Sequence, residues 1–295
     1  MRQFMRYIML SALLGVLPPS CKGENPTETE SSNTVTYKLE EQKLGADYDE
    51  IRSLKISSDG CHMAYVITRG GKSLAVIDGR EGPEHDEIGL IELSPTGTRA
   101  AYTAKEEGKW FVVVDGQPGS KHDGTKSVVF SPDGRRTAYA AQSGKKWSVV
   151  VDSQPGPEYD EVGPPTFSQD SGRMGYTAKL GSTWHAVVDG QPEADFDQIA
   201  VGSVTFNRTT AFFESIVFSP DSRRVAYLAR KSEKWLMVID GRPGPEYDEI
   251  KRAVFSFDEY GRPDGPSYSL AFSSEGKHVA YAARVDNKWS VIVDG

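Results

Sequence analysis

The chain has 295 residues, of which 38% are hydrophobic and 26% charged, a balance that suits a globular protein with a sizeable core and rules out a disordered or collagen-like chain. Its formal charge of −8, with no basic block carrying interleaved aromatics, argues against nucleic acid or an anionic membrane surface as a partner. Two cysteines cannot build a disulfide framework.

The first twenty residues differ from the rest. Arg2 and Arg6 precede an apolar run from Tyr7 to Leu17 that is too short to cross a bilayer. Cys21 follows Pro-Pro-Ser and opens a hydrophilic stretch, KGENPTETESSNT. This start resembles a bacterial lipoprotein signal, which implies lipidation of Cys21, although Pro18 stands where such signals usually carry Leu. The expected division is a signal peptide over 1–20, a polar tether over 21–46 and a repeat domain over 47–295. Cys61 is then expected to be a lone, incidental thiol.

From residue 47 onward the chain repeats. An aspartate closing an aliphatic run stands at Asp78, Asp115, Asp152 and Asp189, 37 residues apart, and recurs at Asp240 and Asp294. Tyr65, Tyr102, Tyr139, Tyr176, Tyr227 and Tyr281 keep the same step. Such a period means one supersecondary unit copied many times. In the third copy, Val128 to Ser131 is a short apolar strand and Pro132-Asp133-Gly134 a tight turn. Arg136 to Gln142 alternates as a second strand, Trp147 to Val151 is a third, and Tyr159-Asp160-Glu161-Val162 is expected to begin a fourth. No segment has helical spacing, so the class is all-β.

A four-stranded sheet with two apolar faces buries both by stacking copies around an axis. Six third strands can be counted, the last ending at Asp294, and Tyr48-Asp49-Glu50-Ile51 looks like a surplus fourth strand ahead of the first copy. The expectation is a six-bladed β-propeller of four-stranded blades, closed by the N-terminal strand pairing into the last blade.

The runs VFSPDGRRTAYAA (129–141), VFSPDSRRVAYLA (217–229) and AFSSEGKHVAYAA (271–283) resemble the WD40-like repeat of TolB-type propellers. The resemblance covers roughly 47–295 and implies the fold more than an activity. TolB carries an α/β domain ahead of its propeller, for which this chain has no room between Cys21 and the first blade. Prolyl-oligopeptidase-like enzymes carry a hydrolase domain with a G-x-S-x-G elbow, which is absent from the sequence.

Most conspicuous residues are copies that serve the repeat. Trp110, Trp147, Trp184, Trp235 and Trp289 share one position, held by Ser73 in the first copy, and are expected to pack between blades. The pairs Asp49-Glu50, Asp86-Glu87, Asp160-Glu161 and Asp248-Glu249 are expected on outer strands, where charge blocks edge-to-edge aggregation. Asp-Gly pairs suit turns needing positive φ. His85 and His122 replace the tyrosine of the fourth strand, His62 and His278 share a position after the first turn, and His185 follows a Trp. None has metal-ligand spacing, so neither a metal nor a cofactor is expected. No catalytic residues are identified.

Two connections break the repeat, by roughly 14 and 17 extra residues. The first contains Phe206, Arg208, Phe212 and Phe213; the second contains Arg252, Phe257, Asp258, Tyr260, Arg262 and Asp264. Insertions in a strict repeat often form a binding face, so these ten residues are the candidate site. The expected function is a non-catalytic, monomeric scaffold of the bacterial cell envelope that binds a protein, peptide or polysaccharide and touches membrane only through a lipid anchor. The alternatives are a hydrolase or lyase with a site in the propeller channel and a stand-alone relative of a peptidase propeller.

Overall fold

The computed structural model describes residues 48–200, 202–206, 209–213, 216–250, 254–257, 263–267 and 270–294, with 202–213 and 254–267 described by backbone alone. Every regular element among them is a strand. Backbone packing divides the chain into two units that meet between Lys121 and His122.

The first unit holds two four-stranded antiparallel sheets. Glu50–Ile56, Met63–Arg69, Lys72–Ile77 and Arg80–His85 form one; Glu87–Leu93, Ala100–Glu106, Lys109–Val114 and Gln117–Pro118 form the other. The second unit holds four more. The third sheet runs through Gly124–Phe130, Thr137–Ser143, Lys146–Val151 and Gln154–Pro155. The fourth has Met174–Leu180, Thr183–Val188 and Gln191–Pro192, with a first strand split into Glu161–Val162 and Thr166–Phe167. The fifth has Val225–Lys231, Lys234–Ile239 and Arg242–Tyr247, and the sixth Val279–Val285 and Lys288–Val293. Their first strands are also split, as Gln198–Ile199 with Ile216–Phe218, and as Glu249–Ile250 with Leu270–Phe272.

The second and third strands match their expected extents within a residue or so, because alternation and β-branched runs define them from within. The segment carrying the acidic pair does not. Tyr159 bridges back to Trp147 of the third sheet, but Glu161 and Val162 cross over and pair with Lys179 and Ala178 of the fourth. Asp-Glu therefore opens the first strand of the following sheet and is not part of a fourth strand. The same correction applies at the N-terminus. Glu50–Ile56 pairs with Met63–Arg69 as the first strand of the first sheet, so the segment expected to complete the last blade instead opens the first. Periodicity marks where a chain reverses, but a two-residue step between sheets carries too few alternations to say which sheet receives it.

Each core lies between sheets. Tyr176 and Ala178 of the fourth sheet pack with Ala138, Val149 and Tyr159 of the third. Tyr227 and Ile199 of the fifth pack with Ala186, Val188 and Phe196 of the fourth. The aromatic that ends one sheet meets the tyrosine of the next edge-to-face, as in Tyr159–Tyr176 (6.3 Å), Phe196–Tyr227 (6.0 Å) and Tyr247–Tyr281 (6.0 Å), the geometry that ring quadrupoles favour. Two of the histidines fill this place: His85 lies against Tyr102 and His122 against Tyr139.

Cys61 is disulfide-bonded and is not the expected lone thiol. The only other cysteine in the sequence, Cys21, lies outside the described residues, as do the whole signal peptide and tether.

One buried hydroxyl shows how closely the copies are matched. In the second sheet the Thr103 hydroxyl accepts the Leu90 N–H at 2.9 Å. In the fourth, Pro164 holds the place of Leu90 and has no N–H to give, and the buried Thr177 hydroxyl is left without a partner. Thr103→Val is expected to cost about 1–3 kcal/mol by stranding the Leu90 amide, whereas Thr177→Val is expected to be neutral or stabilising. Urea unfolding of the two variants checks this, and equal losses would contradict it.

Candidate functional site

The repeat builds two sets of polar ties, one at each end of its sheets. At the first end, the turn between first and second strands folds on itself. Ser131 donates to Asp133 at 2.6 Å, Asp133 accepts the Arg135 N–H, and Ser131 accepts the Arg136 N–H. Arg136 then reaches Asp152 at 3.0 Å, the aspartate that starts the next turn with φ of 48°. The same pair recurs as Arg99–Asp115, Arg173–Asp189 and Arg224–Asp240. His62–Asp78 and His278–Asp294 are this tie with imidazole in place of guanidinium, which accounts for two histidines without a metal.

At the other end sit the acidic pairs. Asp160 accepts the Gly181 N–H from the turn of its own sheet and the Lys146 ammonium, at 2.7 Å, from the preceding sheet. Asp86 does the same with Glu107 N–H and Lys72, and Asp248 with Asp286 N–H and Lys234. The lysine hydrogen bond holds the carboxyls of Asp86, Asp160 and Asp248 below the usual carboxylate range. These pairs join consecutive sheets; they do not guard outer edges.

The neighbouring glutamate faces a cation across the ladder: Glu87 with Lys105, Glu161 with Lys179, Glu249 with Arg284. That cation lies over the tryptophan of its own sheet, Lys105 on Trp110 at 5.4 Å, Lys179 on Trp184 at 5.7 Å and Arg284 on Trp289 at 5.7 Å. In the third sheet Gln142 holds the cation's position, and Lys126 covers Trp147 from the first strand at 4.3 Å. The tryptophans also pack across sheets, Trp184 against the core of the fifth.

The two insertions are antiparallel hairpins, Gly202–Phe206 with Thr209–Phe213 and Val254–Phe257 with Pro263–Ser267. They do not lie in the connections between sheets, as expected, but inside first strands, after Ile199 and after Ile250. The first strands of the first three sheets bulge at this same place, with Ser53 and Ser127 at positive φ in the first and third. A bulge already throws one or two residues out of the ladder, so a hairpin grows there without disturbing the pairs on either side. Phe206, Phe212 and Phe213 fall on strands of the first hairpin, and Phe257 and Asp264 on strands of the second. Arg208, Arg252, Asp258, Tyr260 and Arg262 lie outside the described residues.

Between the fourth and fifth sheets lies a cavity of about 520 Å3. Trp184 and Ile199 give it apolar walls, and Glu161, Asp197, Arg230 and Glu233 give it charge. Sequence reasoning missed it because each lining residue holds an ordinary repeat position. The available signal was two exchanges: Thr183 where other copies have Lys72, Lys146 or Lys234, and Gln198 where they have Glu87, Glu161 or Glu249. Among the described residues no group of three or more histidine, cysteine or acidic side chains is arranged to hold a metal.

No protein-family profile matches the chain, and no curated protein matches it. Solved structures that resemble it are β-propellers. TolB from Acinetobacter baumannii matches at 17% identity and a TM-score of 0.37, over 67% of this chain and 55% of that one. The β-propeller domain of the trilobed protease from Pyrococcus furiosus matches at 14% identity and 0.41, over 85% and 82%. The Dos1 propeller matches at 10% identity and 0.43, over 79% and 65%. This chain thus spans little more than half the length of the TolB chain.

Proposed function

We propose that this chain is a non-catalytic, six-bladed propeller exported to the bacterial cell envelope, where it binds a protein, peptide or polysaccharide through its two hairpins. The observation that carries this reading is their placement. Both grow from the same bulge of consecutive copies, while the second and third strands of those copies keep the repeat's pairing. Elaborating one bulge twice, side by side, adds surface without altering the cores, as a recognition element requires.

Export is supported by the apolar N-terminal run and by the Cys61 disulfide, which belongs to an oxidising compartment.

The ring is proposed to close through residues 43–48, which hold the register of Arg80–His85 in the repeat. Its motive force is apolar. Ile51 is 56% exposed and Leu54 is exposed on the first sheet, at positions where Ile88 and Ile91 are buried in the second. Val291 and Val293 are 75% and 58% exposed on the last sheet, while Val112 and Val149 at the position of Val291 are buried. Covering such side chains is worth about 1.5–3 kcal/mol each.

The test replaces 201–215 and 252–268 with short connections like that of the fourth sheet. Folded protein of unchanged melting temperature that no longer retains its envelope partner in cross-linking is the expected result. Partner retention by a folded double deletion would sink the reading.

A further inference from the structure

We infer that the cavity between the fourth and fifth sheets is a binding site for a ligand carrying both an alkylammonium and a carboxylate, of the kind found in lysine or a lysine chain-end. The inference deepens the binding reading above but rests on different residues. It follows from what the repeat lacks at this junction.

At the equivalent junctions, a lysine of one sheet gives its ammonium to the aspartate that opens the next, as Lys72 to Asp86, Lys146 to Asp160 and Lys234 to Asp248. Between the fourth and fifth sheets the lysine is Thr183, whose hydroxyl turns back to the Leu180 carbonyl at 3.1 Å. Asp197 still accepts the Ser232 N–H on Oδ2 at 2.8 Å, but it faces the cavity without the lysine.

The second loss is the complement of the first. Lys105, Lys179 and Arg284 each face a glutamate across the ladder, whereas Arg230 faces Gln198. Arg230 lies over Trp235 at 5.9 Å. Its Nε has no hydrogen-bond partner, as is also true of Arg284, but Arg284 has the Glu249 carboxylate on its outer nitrogen at 2.7 Å, and among the described residues Arg230 has no such pair.

One junction has therefore given up a cation beside Asp197 and an anion beside Arg230, and a cavity opens between the two. Asp197 is exposed and Arg230 half-buried at the cavity wall, so a ligand that supplies both missing groups gains the charge-assisted contacts that the repeat's own side chains make elsewhere. The ammonium would take the place of a lysine Nζ and the carboxylate that of a glutamate. Glu161 and Glu233 add further negative charge to the lining, so the ammonium is the dominant requirement, and Trp184 and Ile199 offer apolar contact to the alkyl chain between the two groups.

The experiment is calorimetric titration of the full exported chain with L-lysine, Gly-Gly-Lys, Gly-Gly-Lys-amide and cadaverine. Binding of L-lysine, Gly-Gly-Lys or both is expected, and the stronger of the two identifies a free amino acid or a peptide end as the source. Cadaverine and the amidated peptide, which lack the carboxylate, are expected to bind at least about ten-fold more weakly, as are Asp197→Asn and Arg230→Gln with the best probe. The decisive variant is Thr183→Lys with Gln198→Glu, which rebuilds the repeat's own ion pairs. It is expected to fold at least as stably as the parent and to lose binding. No measurable binding of any probe at millimolar concentration, or undiminished binding to the rebuilt variant, would overturn the inference. Because the hairpins are untouched in every arm, failure here leaves the hairpin reading standing, and failure of the hairpin deletions leaves this site standing.

Discussion

Replacing Tyr227 with alanine is expected to lower stability by about 3–5 kcal/mol, the range for truncating a large aromatic in a close-packed core. Tyr227 is almost wholly buried and packs with Phe196, Ile199, Ile216 and Leu236 at the contact between the fourth and fifth sheets. Its hydroxyl donates to Glu193 at 2.6 Å. Burial, reinforced by that hydrogen bond, pushes the phenol well above its ordinary pKa, so it stays protonated and remains a donor throughout the physiological range. Tyr227→Phe removes only the hydroxyl and is expected to cost about 1.5 kcal/mol, the value of a hydrogen bond to a charged group. Urea unfolding separates the two contributions. Equal losses would mean that the ring contributes little, contrary to the packing.

Gly163→Ala is expected to cost about 1–3 kcal/mol by overpacking. A Cβ at Gly163 would clash with the Thr177 hydroxyl oxygen, inside the fourth sheet. Thr177 is fully buried and has little room to turn away. The clash is specific to one atom, which makes it testable by a double-mutant cycle. In a Thr177→Ala background the same substitution should cost far less than in the parent. A Gly163→Ala penalty that persists unchanged in that background would show that the glycine serves the backbone and not the contact.

Much of the architecture is legible in the sequence because the chain states it six times. The tyrosines from Tyr65 to Tyr281 and the aspartates from Asp78 to Asp294 mark second strands and the turns after third strands, and the structure places them there. The place of Asp-Glu is not legible in the sequence, because Asp160 and Glu161 directly follow Tyr159 on the far side of a step between sheets that leaves no periodic trace. The hairpins were found as insertions, since a change of spacing is visible in one dimension. Their origin inside a bulge was not, because Ser53 and Ser127 reveal positive φ only in three dimensions.

The cavity illustrates a different limit. Thr183 and Gln198 are unremarkable residues, and their meaning comes from the partners that Asp197 and Arg230 lose. A lysine and an aspartate 14 residues apart look unrelated until Lys72–Asp86 and Lys146–Asp160 are seen to touch. Once the ties are known, the departure from them can be read directly off the alignment of copies.

The proposed closure of the six sheets into a ring is tested most directly by amide hydrogen exchange at Trp289. In the third and fourth sheets, the N–H of Trp147 and Trp184 donates to the carbonyl of Tyr159 and Phe196. The ring requires Trp289 to donate likewise to Tyr48. Slow exchange at Trp289 that becomes fast when residues 1–48 are removed is the expected result; an amide equally fast in both chains would contradict it.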